Sequence, residues 1–301
     1  MTDITSKIIV ETATAVVPKN YRRRWRRVLR RSVFAMAQME TSMRCAGVAY
    51  FGFLSLFPAI STVVLLIGLL AKPGFLADMV DRLDGVIPTL AQQVLANQLA
   101  TLLDQPRVGL GIGLAISLTV ALWSGSRGVA ALIYAASRTR QEPERRGLIM
   151  TVAVSVLTTL AGALAMLVAL TLVAVLPAYF AILPWLGHNQ TALLLLRWPV
   201  LLGLGVLAIA AFYRFAPDRR SHRARWIWPG AIIAAVLWLA VCGLFSLYVE
   251  SMGNFEATFG SLATAIVLLL WMYNSALILV LGATINAELE RETLAERALA
   301  A

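Results

Sequence analysis

Two groups of side chains in this sequence are placed where they could do chemistry. The first is YRRRWRRVLRR, residues 21–31, in which Arg22, Arg23, Arg24, Arg26, Arg27, Arg30 and Arg31 fill seven of eleven positions. A basic run with interleaved aromatics can contact nucleic-acid phosphates. A run directly before a hydrophobic span is better matched to anionic lipid headgroups, at about 1 kcal/mol per residue near the surface. Membrane lipid is therefore the expected partner, and nucleic acid is not. The second is Arg127 in LWSGSRG, residues 122–128, which the uncharged stretch Gly128 to Ala136 follows. It lies about 28 Å along a helix from Val108 at 1.5 Å per residue, within snorkelling reach of the inner interface. The other reading is a partly buried cation that meets an anionic headgroup or substrate. Ser124, Gly125 and Ser126 beside it favour an interior position, and both readings stay open.

Hydrolytic chemistry has no comparable residue set. Metal-dependent phosphodiester cleavage needs clustered carboxylates or histidines. The chain has two histidines, His188 and His222, which the span assignment below puts on opposite sides of the membrane. Asp218 with His222 is a sparse pair in a basic loop, and Asp78, Asp81 and Asp84 form a solvated helix face. No paired-histidine metal motif and no phosphate-binding glycine loop occurs, and no histidine is suitably placed for serine-based catalysis. No metal, no cofactor and no enzymatic activity is expected.

A third pattern runs through residues 255–291, FEATFGSLATAIVLLLWMYNSALILVLGATINAELER, which hold no charge from Gly260 to Ala287. Thr264, Trp271, Ser275, Gly282 and Asn286 follow at steps of seven, four, seven and four. At about 100° per residue they share a strip roughly 60° wide. The aliphatic face suits lipid, and the notched face suits other helices or a cavity.

The elements that must position these residues follow from composition. Of 301 residues, 59% are hydrophobic and 14% charged, and mean hydropathy is +0.78. That balance excludes an ordinary soluble domain and fits an all-α integral membrane protein. Six spans are predicted: 45–71, 108–136, 148–176, 191–215, 226–248 and 260–287. Residues 1–44 form a cytoplasmic polybasic segment with an interfacial helix, 45–289 the six-helix transmembrane domain, and 290–301 a short cytoplasmic tail. Residues 1–20 are expected to be poorly ordered, and 32–43 to continue the interfacial helix, with Glu40 and Arg44 paired at i,i+4. No cleavable signal peptide is visible, so the first span acts as its own insertion signal. Pro58, in AYFGFLSLFP, should kink the first span. Gly47, Ser61 and Gly68 recur there at multiples of seven. Pro177, Pro184 and Gly187 mark a short outer loop after the third span. Residues 75–107 read as two amphipathic helices on the outer side, either resting on the surface or roofing the bundle. Cys45 and Cys242 are not expected to pair.

Lysine and arginine counts orient the chain. Residues 1–44 hold ten, 137–147 four and 216–225 four, against three in 72–107 and none in 177–190 or 249–259. By the positive-inside rule both termini are cytoplasmic.

AYFGFLSLFP, LWSGSR and FGSLATAIVLLLWMYNSALILVLGATINAEL together resemble the YihY/virulence factor BrkB family, over about residues 25–290. Tyr50, Ser55, Pro58, Trp123, Arg127, Gly260, Trp271, Gly282, Ala283 and Asn286 fall on its motif positions. The resemblance implies six transmembrane helices in the bacterial inner membrane. Relatives carry a historical ribonuclease label, and some are linked to serum resistance and envelope-lipid export. The family often reads Gly-Ala-Glu at the end of the last span, where this chain has Thr284 after Gly282-Ala283. An intramembrane carboxylate for ion coupling is therefore missing at that position.

The leading expectation is a transporter or flippase-like carrier of an amphipathic, anionic envelope component. Its substrate-path candidates are Tyr50, Ser55, Pro58, Trp123, Ser126, Arg127, Trp271, Ser275 and Asn286. A non-transporting membrane scaffold in envelope maintenance is the alternative, and ribonuclease activity the remote one. Homo-oligomerisation stays open.

Overall fold

The computed structural model describes residues 21–70, 107–138, 146–182, 190–217, 226–251 and 261–300. Among these it is all-helical: α1 (Tyr21–Met36), α2 (Met39–Leu70), α3 (Arg107–Arg138), α4 (Leu148–Ile182), α5 (Gln190–Phe215), α6 (Trp228–Ser251) and α7 (Ser261–Ala300). Residues 1–20, the amphipathic segment 75–106, Asp218, His188 and His222 lie outside the described residues.

Five helices are long and apolar enough to cross a membrane: Met39–Leu66, Gly109–Ser137, Leu148–Ala169, Trp228–Tyr248 and Ala265–Ala295. The remaining span predicted from sequence, 191–215, coincides with α5, whose apolar stretch among the described residues is the shorter Pro199–Phe215. Large apolar side chains stand exposed along α2, α3 and α4, among them Phe57, Ile60, Ile116, Leu157 and Leu164. Exposed apolar surface on that scale belongs against lipid rather than water.

Three boundaries differ from the sequence reading. The interfacial helix does not run on to Met43. It ends at Met36, and α2 begins at Met39 after a turn at Ala37 and Gln38. Ala37 N donates to Val33 O at 3.1 Å to close α1, and Thr41 N donates to Gln38 O at 3.0 Å to open α2. The Thr41 hydroxyl donates back to Ala35 O at 3.0 Å, holding the two helix ends together. Second, α4 continues past Pro177 to Ile182, because a proline removes one helical donor without obliging the chain to leave the helix. Third, α7 runs unbroken through residues 290–300, so the expected tail is helical and continuous with the helix of the last span.

The chain divides into two compact units. One comprises Met1–Ala49 and Val129–Ala301, and its core consists of three clusters that share α7. Ala136, Ala210, Tyr213, Ile227, Ala231 and Ala283 bring α3, α5, α6 and α7 together. Cys45, Ala135, Ala276 and Val280 bring α2, α3 and α7 together. Val28 of α1 packs on Ile285 and Leu289. So many alanines let backbones approach closely, which is how helices associate where lipid supplies no hydrophobic drive between them. These contacts gather the ends of α2, α3, α5, α6 and α7 that adjoin the arginine-rich segments. Arg146 donates to Ala216 O at 2.8 Å, tying two of those segments to each other. We call this the basic end.

The second unit is Tyr50–Gly128. In it the Thr62 hydroxyl lies 2.7 Å from Pro58 O and 3.1 Å from Ser117 Oγ, linking α2 to α3. Pro58 is accommodated inside α2.

Candidate functional site

The notched strip of α7 faces α6. Trp238 of α6 donates its indole N–H to Ser275 Oγ at 3.0 Å, and its ring lies 6.1 Å from that of Trp271. At Gly282 the two backbones nearly touch, since a Cβ there would sit 2.6 Å from Gly230 O. The Tyr213 hydroxyl, donating to Leu279 O at 2.6 Å, fills the remaining side of that notch. Asn286 is 1% exposed. Its Oδ1 accepts from Gly230 N at 2.8 Å, and its Nδ2 donates to Ile227 O at 3.0 Å. The first turn of a helix leaves N–H groups without intrahelical partners. Asn286 therefore caps α6 from a neighbouring helix, next to Pro229, which has no N–H to satisfy.

On another side of α7 lies α1. Arg24 donates to Thr293 Oγ1 at 2.9 Å and stacks 5.2 Å above the Trp226 ring. Arg27 reaches Glu292 at 3.3 Å, and Arg31 lies 3.5 Å from Glu292 and 3.7 Å from Glu288. Three arginines of the polybasic run are thus turned toward the chain itself. Arg26 and Arg30 are exposed on the opposite face, together with Leu29 and Val33. An exposed mixture of cations and aliphatics suits the headgroup layer. For Arg22 and Arg23 the structure describes only the backbone.

Between the end of α1, the start of α2 and the basic end of α7 lies a cleft of about 820 Å³. Its charged lining is Arg30, Arg31, Arg44 and Arg291 against Glu40 and Glu288. Gln38, Thr41 and Thr284 add polar groups, and Phe34 and Met36 an apolar edge. Arg44 lies 5.0 Å over the Tyr134 ring and pairs with Glu40, as its i,i+4 spacing predicts. Glu288, 6% exposed, is held by Arg291 at 2.6 Å and by Arg31 from α1. Beside this cleft the Ser42 and Tyr273 hydroxyls are 2.6 Å apart, joining α2 to α7.

The site expectations therefore separate. Trp271, Ser275 and Asn286 come together along α6 as a packing seam. Tyr50, Ser55, Pro58, Trp123, Ser126 and Arg127 belong to the second unit, and none lines the cleft. There Arg127 and Trp123 are exposed, whereas Ser126 is buried and donates to Trp123 O at 2.9 Å. Ser55 donates to Gly52 O at 2.7 Å. Sequence reasoning missed Arg44, Glu288 and Arg291 as site residues. The available signal was that Glu288 follows Thr284 by four residues, which puts a carboxylate on the same helix face one turn later.

The sequence profile of the family described as Virulence factor BrkB matches residues 33–301. The chain belongs to that family. Within reach of the BrkB relationship is the ribonuclease-like protein YfkH of Bacillus subtilis, 31% identical over 264 residues, or 84% of this chain and 91% of that one. A UPF0761 membrane protein of Idiomarina loihiensis is 34% identical over 93 residues, which is 31% of this chain and 32% of that one. No solved structure matches the chain. BrkB membership agrees with the resemblance carried by the three sequence motifs, and with described residues that are all-helical and hold several membrane-length helices.

Proposed function

We propose that this BrkB-family protein is a transporter or flippase-like carrier for an amphipathic, anionic envelope component. It would act in the bacterial inner membrane with both termini in the cytoplasm. The observation that carries this reading is the cleft at the basic end, where four guanidinium groups and two carboxylates leave a net positive lining beside an apolar edge. On the positive-inside orientation that cleft opens at the cytoplasmic headgroup layer, where an anionic amphiphile would be loaded. Arg26 is the headgroup-facing cation of α1 and Arg30 stands at the rim of the cleft, while Arg24, Arg27 and Arg31 anchor α1 on α7. Arg127 is proposed as a further path cation in the second unit.

The packing seam favours a second reading. Trp271, Ser275, Gly282 and Asn286 are all engaged with α6, which is what a membrane scaffold would need and a substrate path would not. Ribonuclease activity, suggested by the name of the B. subtilis relative, is the remote alternative. Among the described residues no three His, Cys, Asp or Glu side chains could together hold a metal ion, and Glu288 and Glu292 are occupied by arginines.

The deciding measurement is movement of labelled anionic phospholipid between leaflets of proteoliposomes. The carrier reading expects protein-dependent movement that falls at least several-fold in Arg127→Ala and in Arg44→Gln. Movement no faster than in protein-free vesicles favours the scaffold.

A further inference from the structure

The cleft has a charge arrangement that goes beyond a generally basic surface. Its arginines come from three helices: Arg30 and Arg31 from α1, Arg44 from α2 and Arg291 from α7. Guanidinium forks converging from several directions match the several oxygens of a phosphate better than point charges do. Arg44 is positioned for this, with its side chain 17% exposed over the Tyr134 ring and its partner Glu40 64% exposed. Glu40 keeps its half of this i,i+4 pair largely in solvent, so exchanging it for a bound oxyanion costs little. Arg30 on the opposite wall is exposed and makes no ion pair with Glu288 or Glu292 in the structure. The other two cations share Glu288, whose side chain is 8% exposed, at 2.6 Å from Arg291 and 3.7 Å from Arg31, which also lies 3.5 Å from Glu292. Glu288 thus holds the place that a ligand oxyanion would otherwise take between α1 and α7.

We propose that this cleft binds a phosphate-bearing anion. Arg30 and Arg44 are its direct contacts, and Glu288 is the chain's own competitor for Arg31 and Arg291. Loading an anion weakens the hold of Glu288 on Arg31 and loosens α1 at the cleft. The ligand's remaining part meets Phe34, 71% exposed at the cleft edge, and Met36, so an acyl-bearing phosphate binds more tightly than a soluble one. The identification of this anion as cargo rests on the carrier reading above, but the binding itself does not.

The test is calorimetric titration of the full chain in phosphatidylcholine nanodiscs, with glycerol 3-phosphate in one arm and dihexanoyl phosphatidic acid in the other. Both are expected to bind, the lipid several-fold more tightly. Replacing two charge-assisted contacts in Arg30→Gln/Arg44→Gln should weaken both ligands by roughly tenfold or more. Arg30→Gln alone, at an exposed position that the fold does not need, should weaken them in the same direction. Glu288→Gln should tighten binding several-fold, an effect that a merely structural carboxylate would not produce. Arg214→Gln, a basic-end cation outside the cleft stacked on Phe215, should leave both affinities unchanged. Wild-type affinity in the double variant, or equal weakening by Arg214→Gln, overturns the site. Equal affinity for the two ligands keeps the phosphate site and assigns it to a soluble compound. Binding without lipid movement in proteoliposomes sinks the carrier reading and leaves the site. Unchanged movement in a double variant that has also kept its affinity does the reverse.

Discussion

Asn286 and Ser275 lie on one strip of α7, yet removing their side chains should have unequal consequences. The Ser275 hydroxyl accepts a single hydrogen bond from Trp238. Interhelical hydrogen bonds of that kind in membrane proteins average about 0.6 kcal/mol. Asn286→Ala instead strands Gly230 N–H at a buried helix start, and a buried unsatisfied donor costs about 1–3 kcal/mol. Ile227 O keeps a partner in either case, because Ala231 N donates to it at 3.2 Å. Reversible unfolding in mixed micelles should therefore rank Asn286→Ala clearly below Ser275→Ala in stability. Equal losses would mean that Asn286 does not cap α6. Much of this strip was legible from sequence, since the steps of seven and four put its members on one face and a notched face asks for another helix. That the helix would be α6, and that Asn286 would satisfy backbone rather than line a path, was not. Both depend on Gly230 meeting Gly282, and nothing in the spacing of either segment specifies the other. The burial of Glu288, as distinct from its helix face, was illegible for a different reason. A carboxylate just beyond an apolar stretch reads as solvated, and only the docking of α1 buries it.

At the scale of elements, α7 does two jobs along its length. Its apolar part makes the seam with α6, and its charged end receives α1. Holding α1 there are the apolar contact of Val28 with Ile285 and Leu289 and the pairs from Arg27 and Arg31 to Glu292 and Glu288. Glu292 is 11% exposed at its side chain and meets both arginines. Glu292→Lys replaces two attractions by two repulsions in a partly desolvated site. Like charges opposed across an interface cost several kcal/mol. That loss is large enough to free a single helix turn or more, but α6 shares none of these charges. Hydrogen exchange should accordingly speed up across α1 by at least tenfold, while α6 keeps its protection. Unchanged protection in α1 would show that Val28 and its neighbours hold the helix without the ion pairs. Sequence periodicity located α1 but not its end. The residues Phe34-Ala35-Met36-Ala37-Gln38-Met39 contain no glycine or proline to mark a break. The turn is held instead by Thr41 reaching back to Ala35 O, a local side-chain-to-backbone bond that hydrophobic periodicity does not reveal.

For the whole molecule the decisive property is the uneven distribution of burial and charge. From Gly282 to Leu289 of α7 every residue is buried, whereas α2 and α4 present large apolar side chains outward along most of their length. Among the described residues the basic end is therefore the organised end, and arginine serves there as structural clamp. If that end is cytoplasmic, a cysteine placed near Ala300 should react with a membrane-impermeant maleimide only after the inner face of the membrane is exposed. A cysteine within 75–107 should react in intact spheroplasts. The native thiols interfere little, since Cys45 is buried and Cys242 half-buried within a membrane-length helix. The opposite labelling pattern would invert the orientation and place the arginine cleft on the outer face. The cleft could then no longer load from the cytoplasmic leaflet, and any phosphate it bound would have to be met at the outer one. Labelling of both positions from the same side would require an even number of crossings between them, not the five that α3 to α7 supply. That would remove at least one of α3 to α7 from the set of spanning helices. One pair of labels thus decides both the direction of the chain and whether all five of these helices cross.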